Sequence, residues 1–430
     1  MKRVGLLLGS WIVLYACSGT EPGTTGEVDA SSPVPTSTTP IDGATPTPPR
    51  DASTPSADGS VQDATTDGAP SDAGRDAADS SIPPAPAVLY LGRWDIQGGE
   101  AQAGYPSSRA IVRFRGTGVA VTARDAYNQT WLDVSVDGAA PTAMLVSGTA
   151  PQVLTLAEGL PMGDHVVEIY KRTEAFSGAI RLSSFTFPGG GQLLAPPRRK
   201  TRRIEIVGNS TLTGYGVDGA RGGANCGTSA VHNARRSLIP LLAEGLDAED
   251  FAPSVSGTGV LTNETPSDTV LIDVTYPRTL PRSASPLWDF TTWQPDAIVV
   301  MIGGTDVANP RVDPPPSQAA FSAAYTRFLA LLRTKNPNAH VFAVTSPTTT
   351  NFFPVNDVNG TPYNARTKLI GGIADAVAAR NAAGDTKVYP FTFGVASDAE
   401  TMACAFHPTF ALYQRMAAEL VPFVKLKVGW

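Results

Sequence analysis

A chain of 430 residues with 33 basic and 39 acidic side chains carries a formal charge of -6, long enough for two packed domains and without the basic excess that a nucleic-acid partner requires. Its three cysteines and four histidines lack the clustered spacing of a metal site, so neither metal nor cofactor is expected. The apolar run at 4–13 is far short of the roughly 20 residues that cross a bilayer.

That run, flanked by Lys2-Arg3 and by Leu14-Tyr15-Ala16-Cys17, reads instead as an export signal over 1–17 with a lipobox-like end and Cys17 as the lipidation site. The bulk of Tyr15 leaves ordinary cleavage nearby as the alternative. The expected location is the cell envelope or surface, held to the outer face of a membrane by a lipid anchor, or otherwise secreted. Residues 18–87 contain no Leu, Phe, Trp, Tyr, Met or Cys and cannot build a core. Eleven acidic and two basic residues fall there, so the negative charge belongs to this linker and the remainder is close to neutral. As a flexible coil it would reach roughly 45 Å.

Residues 88–190 alternate apolar and polar at 110–115, 119–124, 131–136 and 165–170, with turn signals at Asp137-Gly138 and Gly163-Asp164. Short strands at that spacing predict an all-β sandwich or jelly roll. Gly189-Gly190-Gly191 and Pro196-Pro197 mark the joint to a second domain at 200–430. There apolar strands at 297–302 and 340–344 alternate with helical periodicity at 231–244, 321–333, 365–378 and 409–420. That alternation predicts an α/β domain whose parallel sheet is covered by helices. The stretch 263–294, rich in Pro, Thr and aromatics, is expected to be a functional loop.

The second domain opens with a buried-strand pattern at Ile204, Ile206 and Val207, then Gly208-Asn209-Ser210. This delivers a serine to the carboxyl end of a strand, where open α/β sheets bind their ligands. A serine nucleophile needs a base, and His407 in Phe406-His407-Pro408 is the candidate. Ser210 as a mere helix cap and His407 as a satisfied buried histidine are the competing readings. His165, His232 and His340 are expected to be surface or core residues. With Cys17 lipidated, Cys226 and Cys404 are an even pair in an exported chain, which suggests a disulfide; two buried free thiols are the alternative.

Gly208 to Gly216 and His407-Pro408 resemble the first and last blocks of the SGNH (GDSL-type) hydrolases. The match is similar in detail to the second family of carbohydrate esterases, through Ser256-Gly257-Thr258-Gly259, Tyr90-Leu91-Gly92-Arg93-Trp94-Asp95 and Lys171-Arg172-Thr173-Glu174-Ala175. The resemblance implies an SGNH-type domain behind a jelly-roll module, and a serine esterase removing O-acetyl groups from plant-wall polysaccharides or oligosaccharides of the xylan or glucomannan type. It implies oxyanion donors at Ser210, Gly257 (with Gly259 close enough to be confused with it) and Thr305, the last standing where relatives carry asparagine. Tyr276 and Trp288 are the candidate sugar-stacking residues, with packing the equally weighted alternative, whereas Trp293 is expected to pack. A monomer is expected.

Three positions depart from the family: Asn209 replaces its aspartate, Thr305 its asparagine, and Cys404 and Ala405 occupy the places of an orienting aspartate. The imidazole could then be oriented by a backbone carbonyl in a Ser-His dyad, the preferred reading, or by Asp398 or Glu400. The third outcome is a carbohydrate-binding protein that has lost its chemistry.

Overall fold

The structure, a computed structural model, describes residues 87–430 apart from 126, 128 and 147. The signal, Cys17 and the linker lie outside the described residues. Two antiparallel sheets come first. One orders Leu89–Leu91, Arg109–Gly116, Gly163–Lys171, Trp131–Val136 and Thr142–Leu145, with Gln192–Leu193 added beside Arg109–Gly116. The other orders Asp95–Gln97, Glu100–Ala103, Ile180–Thr186, Val119–Asp125 and Gln152–Ala157. Period-2 alternation turns Phe114, Val121, Leu132, Val167 and Ile180 into the layer between them.

The second domain is a parallel sheet. Its strands β1 (Arg202–Gly208), β2 (Ala248–Phe251), β3 (Ala297–Met301), β4 (His340–Thr345) and β5 (Val388–Thr392) are ordered β2-β1-β3-β4-β5. Among its helices, α1 (Leu238–Gly245) and α4 (Phe410–Val428) cover one face, packing Leu238, Leu242, Leu412 and Met416 on Ile204, Ile206 and Val299. On the other face α2 (Gln318–Lys335) and α3 (Ala365–Ala382) pack Phe321, Phe328, Leu369 and Ile373 on Val207, Ile298 and Val300. Both faces are covered, so β3 carries no polar side chain, all five of its residues being buried. Among the described residues no helix is long and apolar enough to cross a membrane.

Strand β2 has no apolar pattern to announce it, because Glu249 and Asp250 sit at its centre. Both are buried and paired: Glu249 takes Arg199 and the Trp293 indole N–H, at 2.7 Å for the indole, and Asp250 takes Arg109 and Ser107. Arg109 and Ser107 come from the sandwich, so this edge strand is completed by the other module. The seam continues through Arg93, whose guanidinium donates to Glu205 at 2.8 Å with both side chains almost fully buried. Further along it, Trp293 stacks on Phe251 with ring centroids 3.7 Å apart, Leu91 joining them.

This seam corrects two expectations. The stretch 263–294 is a brace between the modules: Tyr105 Oη donates to the Thr275 carbonyl at 2.8 Å, and Arg93 donates to the Tyr276 carbonyl. Tyr276 is fully buried; its hydroxyl donates to Glu205 at 2.6 Å and accepts from Asn336 at 2.7 Å, near the amino end of β4. It offers no face to a sugar. Trp288 is half-buried, its ring against Phe251 and beneath the Arg93 guanidinium. Their aromatic character serves the seam, which composition alone could not distinguish from a binding surface. Trp293 packs.

Candidate active site

Strand β1 ends at Gly208 because only glycine fits there: a Cβ would lie 2.4 Å from the Met301 carbonyl oxygen of β3. The chain then turns at Asn209, which caps the single helical turn Ser210–Thr213 by accepting from the Thr211 N–H at 3.4 Å, its side chain accepting from the Thr211 hydroxyl as well at 2.8 Å. Capping therefore falls to Asn209, and Ser210, partly exposed, is the first residue of the turn.

The Asn209 amide also donates to the Thr258 carbonyl at 3.3 Å and to Thr305 Oγ1 at 3.1 Å. One side chain thus ties the serine turn to the segment after Ser256 and to the turn Gly304–Val307 that follows β3. An aspartate could not do this, since carboxylate and carbonyl are both acceptors. The departures at 209 and 305, unrelated in the sequence, are partners in space, with donor and acceptor exchanged. Because Thr305 Oγ1 accepts from Asn209, its own proton is free to be donated elsewhere.

The two neighbouring glycines are also distinguishable. Gly257 has φ +76°, and a Cβ there would meet nothing nearer than Glu264, at 3.6 Å. Gly259 is enclosed, its Cβ position 2.1 Å from the Thr262 carbonyl and 2.6 Å from Asp306. Asp306 accepts from the N–H groups of Val260, Leu261 and Thr262 at 3.2, 2.6 and 2.9 Å and so shapes this loop; burial pushes its carboxyl up to about 6. Gly257 lies at the open surface and Gly259 is a packing glycine.

His407 follows two residues in the left-handed region, Ala405 (φ 51°) and Phe406 (φ 60°), an arrangement that a non-glycine backbone adopts only under constraint. The constraints are present. Cys404 is bonded to Cys226, with Cα atoms 5.3 Å apart, and its side chain fills the spaces left by Gly216 and Gly219. Its N–H donates to the Gly216 carbonyl at 3.3 Å. The imidazole Nδ1 lies 3.0 Å from the Cys404 carbonyl and 3.1 Å from that of Ala405. Carbonyls only accept, so Nδ1 carries the proton and Nε2 is left with its lone pair, the tautomer of a general base. Burial pulls the imidazole below its ordinary range; the two carbonyls and the charge of Glu264 act in the opposite sense.

Neither Asp398 nor Glu400 orients the histidine. Asp398 pairs with Arg221 at 2.7 Å, and Glu400 pairs with Arg415 at 2.6 Å, its carboxyl held down to about 2 by that bond.

Tyr215 joins the halves of the site. Five residues after Ser210, its ring packs on His407 with centroids 4.6 Å apart and on His232 at 4.4 Å. His232 is buried and accepts the Gly216 N–H on Nδ1 at 3.1 Å; burial, with the neighbouring His407, pulls it down to about 4. His232, read from sequence only as a surface or core residue, is thus part of the support of the base. Tyr215, His232, Glu174 and Asp306 escaped sequence reasoning as site residues. The only sequence signal among them is that Tyr215, Glu174 and Asp306 sit inside the motifs that resemble the family, Asp306 directly after Thr305.

Residues 90–197 match the family described as Carbohydrate esterase 2 N-terminal, and residues 206–415 match the GDSL-like Lipase/Acylhydrolase family. A cellulase/esterase, CelE, from Acetivibrio thermocellus is 30% identical over 346 residues, spanning 80% of this chain but only 40% of its own length. An acetylxylan esterase/glucomannan deacetylase from Cellvibrio japonicus is 29% identical over 260 residues, 60% of this chain and 70% of its own. A solved family two carbohydrate esterase from Clostridium thermocellum, in complex with cellohexaose, superposes with a TM-score of 0.70 at 28% identity, covering 80% of this chain and all of that one.

Proposed function

Because the chain belongs to the SGNH (GDSL-type) hydrolases with a carbohydrate esterase family 2 N-terminal module, we propose that it is a serine esterase that removes O-acetyl groups from plant-wall polysaccharides or oligosaccharides of the xylan or glucomannan type. The observation that carries the reading is the bond from His407 Nδ1 to the Cys404 carbonyl, which prepares the base without a third acid. Ser210 Oγ attacks the acetyl carbonyl and passes its proton to His407 Nε2. The oxyanion is met by the N–H groups of Ser210 and Gly257 and by the Thr305 hydroxyl. Collapse of the adduct expels the sugar oxygen, which takes the proton from His407. Water, deprotonated by the same imidazole, then releases acetate from acetyl-Ser210 and returns the proton to the serine.

Phe406, 63% exposed beside His407 and with the Arg221 guanidinium over its ring, offers an apolar surface to a sugar ring in place of the buried Tyr276. Export and lipid anchoring at Cys17 would set this chemistry outside the cell, on a tether. The test is release of 4-nitrophenol from its acetate by the purified chain, with Ser210→Ala reducing kcat by at least about 1000-fold. Equal rates from the two proteins would leave a carbohydrate-binding protein without chemistry. Acetate release from acetylated xylan and glucomannan then identifies the polymer.

A further inference from the structure

Glu174 follows the sandwich strand Gly163–Lys171 and is fully buried, yet its carboxylate serves the other domain. Oε1 accepts the hydroxyl protons of both Thr213 and Ser256. Thr213 closes the turn that Ser210 begins, and its hydroxyl also lies 3.2 Å from the Ser210 carbonyl. Ser256 immediately precedes Gly257. A single oxygen from the sandwich therefore holds the nucleophile turn and the open glycine loop at a common point. The segment bearing it is pinned in turn: Lys171, itself fully buried, donates from Nζ to the carbonyls of Thr173 at 2.8 Å and Glu174 at 2.9 Å. Among the described residues Oε2 has no hydrogen-bond partner, and Tyr413, on the helix that follows His407, is buried within electrostatic reach of Glu174.

Burying a carboxylate with one oxygen unpartnered is costly, and although the charge lies near the buried Lys171 of the sandwich, both side-chain hydrogen bonds it makes go to the other domain. We propose that Glu174 is a positioning residue of the esterase, contributed by the β-sandwich, that sets the spacing between Ser210 and the Gly257 N–H. This rests on the reading of Ser210 and Gly257 given above. The β-sandwich is then part of the catalytic unit rather than a detachable binding module. A displacement of about 1 Å between nucleophile and oxyanion donor is enough to cost about 100-fold in rate.

The test uses the full chain with Glu174→Ala, Glu174→Gln and Ser256→Ala. It reads kcat and KM on 4-nitrophenyl acetate, the rate at which a fluorophosphonate probe labels Ser210, and the unfolding midpoint. Glu174→Ala should lower kcat about 100-fold while KM stays within about threefold, and should slow labelling in proportion. Glu174→Gln keeps an acceptor oxygen for both hydroxyls and should recover to within about tenfold of the parent. Ser256→Ala should lose less than Glu174→Ala, and the double variant Glu174→Ala/Ser256→Ala should lose no more than Glu174→Ala alone. The proposal is overturned by a folded Glu174→Ala protein with parental kcat and labelling, or by a loss that follows the unfolding midpoint and is not rescued by glutamine. If Glu174→Ala does not fold, parental kcat in both other variants overturns it. A parent chain that is labelled at Ser210 but hydrolyses no acetate refutes the esterase reading, and the labelling rates alone then decide the role of Glu174. A parent that is neither labelled nor active removes both.

Discussion

At position 209 an amide does what a carboxylate would prevent, giving protons to a carbonyl and to Thr305 Oγ1 at once. Asn209→Asp should therefore set two acceptors against each other and lower kcat at least about tenfold, since that position ties three segments of the site. Thr305→Val, which removes the hydroxyl and keeps the shape, should lower kcat about 100-fold if that proton meets the oxyanion. Because the two side chains are partners, the double replacement Asn209→Asp/Thr305→Asn should retain more activity than the product of the single losses, a coupling that steady-state kinetics on the four proteins would measure. The base adds a pH signature. His407 must be neutral to take the serine proton, and burial holds its folded pKa below the ordinary 6.5. The acid limb of kcat/KM should thus have its midpoint below pH 6.5 and activity should be level at neutrality; a midpoint above 6.5 would contradict the environment described for the ring.

Turns, more than strands, carry this site. Strand β1 hands over to a turn capped by Asn209, and β3 is followed closely by Gly303; the His407 turn is more constrained still, with two successive left-handed residues held by the Cys226–Cys404 bond. The bond closes a loop with a sequence separation of 178, so Cys226→Ser should lower the unfolding free energy by about 5 kcal/mol in the chain-entropy account. It should also lower kcat at temperatures where the protein remains folded, because the carbonyl that orients His407 belongs to Cys404. Denaturation curves and kinetics on the same sample separate the two effects. At this scale the helices α2, α3 and α4 were legible, their apolar periodicity being strong and continuous, with one start matched to the residue and the other ends one to eight residues off. The region 231–244 was legible only in its second half: Asn233 caps a short turn at 234–236 and Ser237 caps the helix itself, so the continuous helix begins only at Leu238. Strand β2 was hidden because its acidic centre is neutralised by Arg109 and Arg199 and hydrogen-bonded by Trp293, all distant in the chain.

For the whole molecule, the seam decides stability. Arg93→Ala would leave Glu205 buried without its cation and should cost about 3 to 5 kcal/mol, read as a lower urea midpoint in a single transition that loses both domains together. Stability should also depend on acid. His232 is held neutral, down to about 4 against an ordinary 6.5, so its contribution is complete above pH 6.5 and is lost as pH falls from 6.5 toward 4. That loss amounts to about 3 kcal/mol. A stability that stays flat across this window would show that His232 is not buried neutral in solution.

From the sequence alone came the order of the domains, the sandwich pattern, the parallel sheet, and Ser210 and His407 as the pair to watch, because hydrophobic period, turn residues and short motifs are local properties. What needed three dimensions were the pairings: Asn209 with Thr305, the Cys404 carbonyl as acceptor for the Nδ1 proton of the base, Glu174 beneath the nucleophile turn, and the burial of Tyr276. An aromatic residue or a carboxylate looks the same in a string whether it lines a cleft or closes a seam. Only packing, by removing water from one and not from the other, separates them.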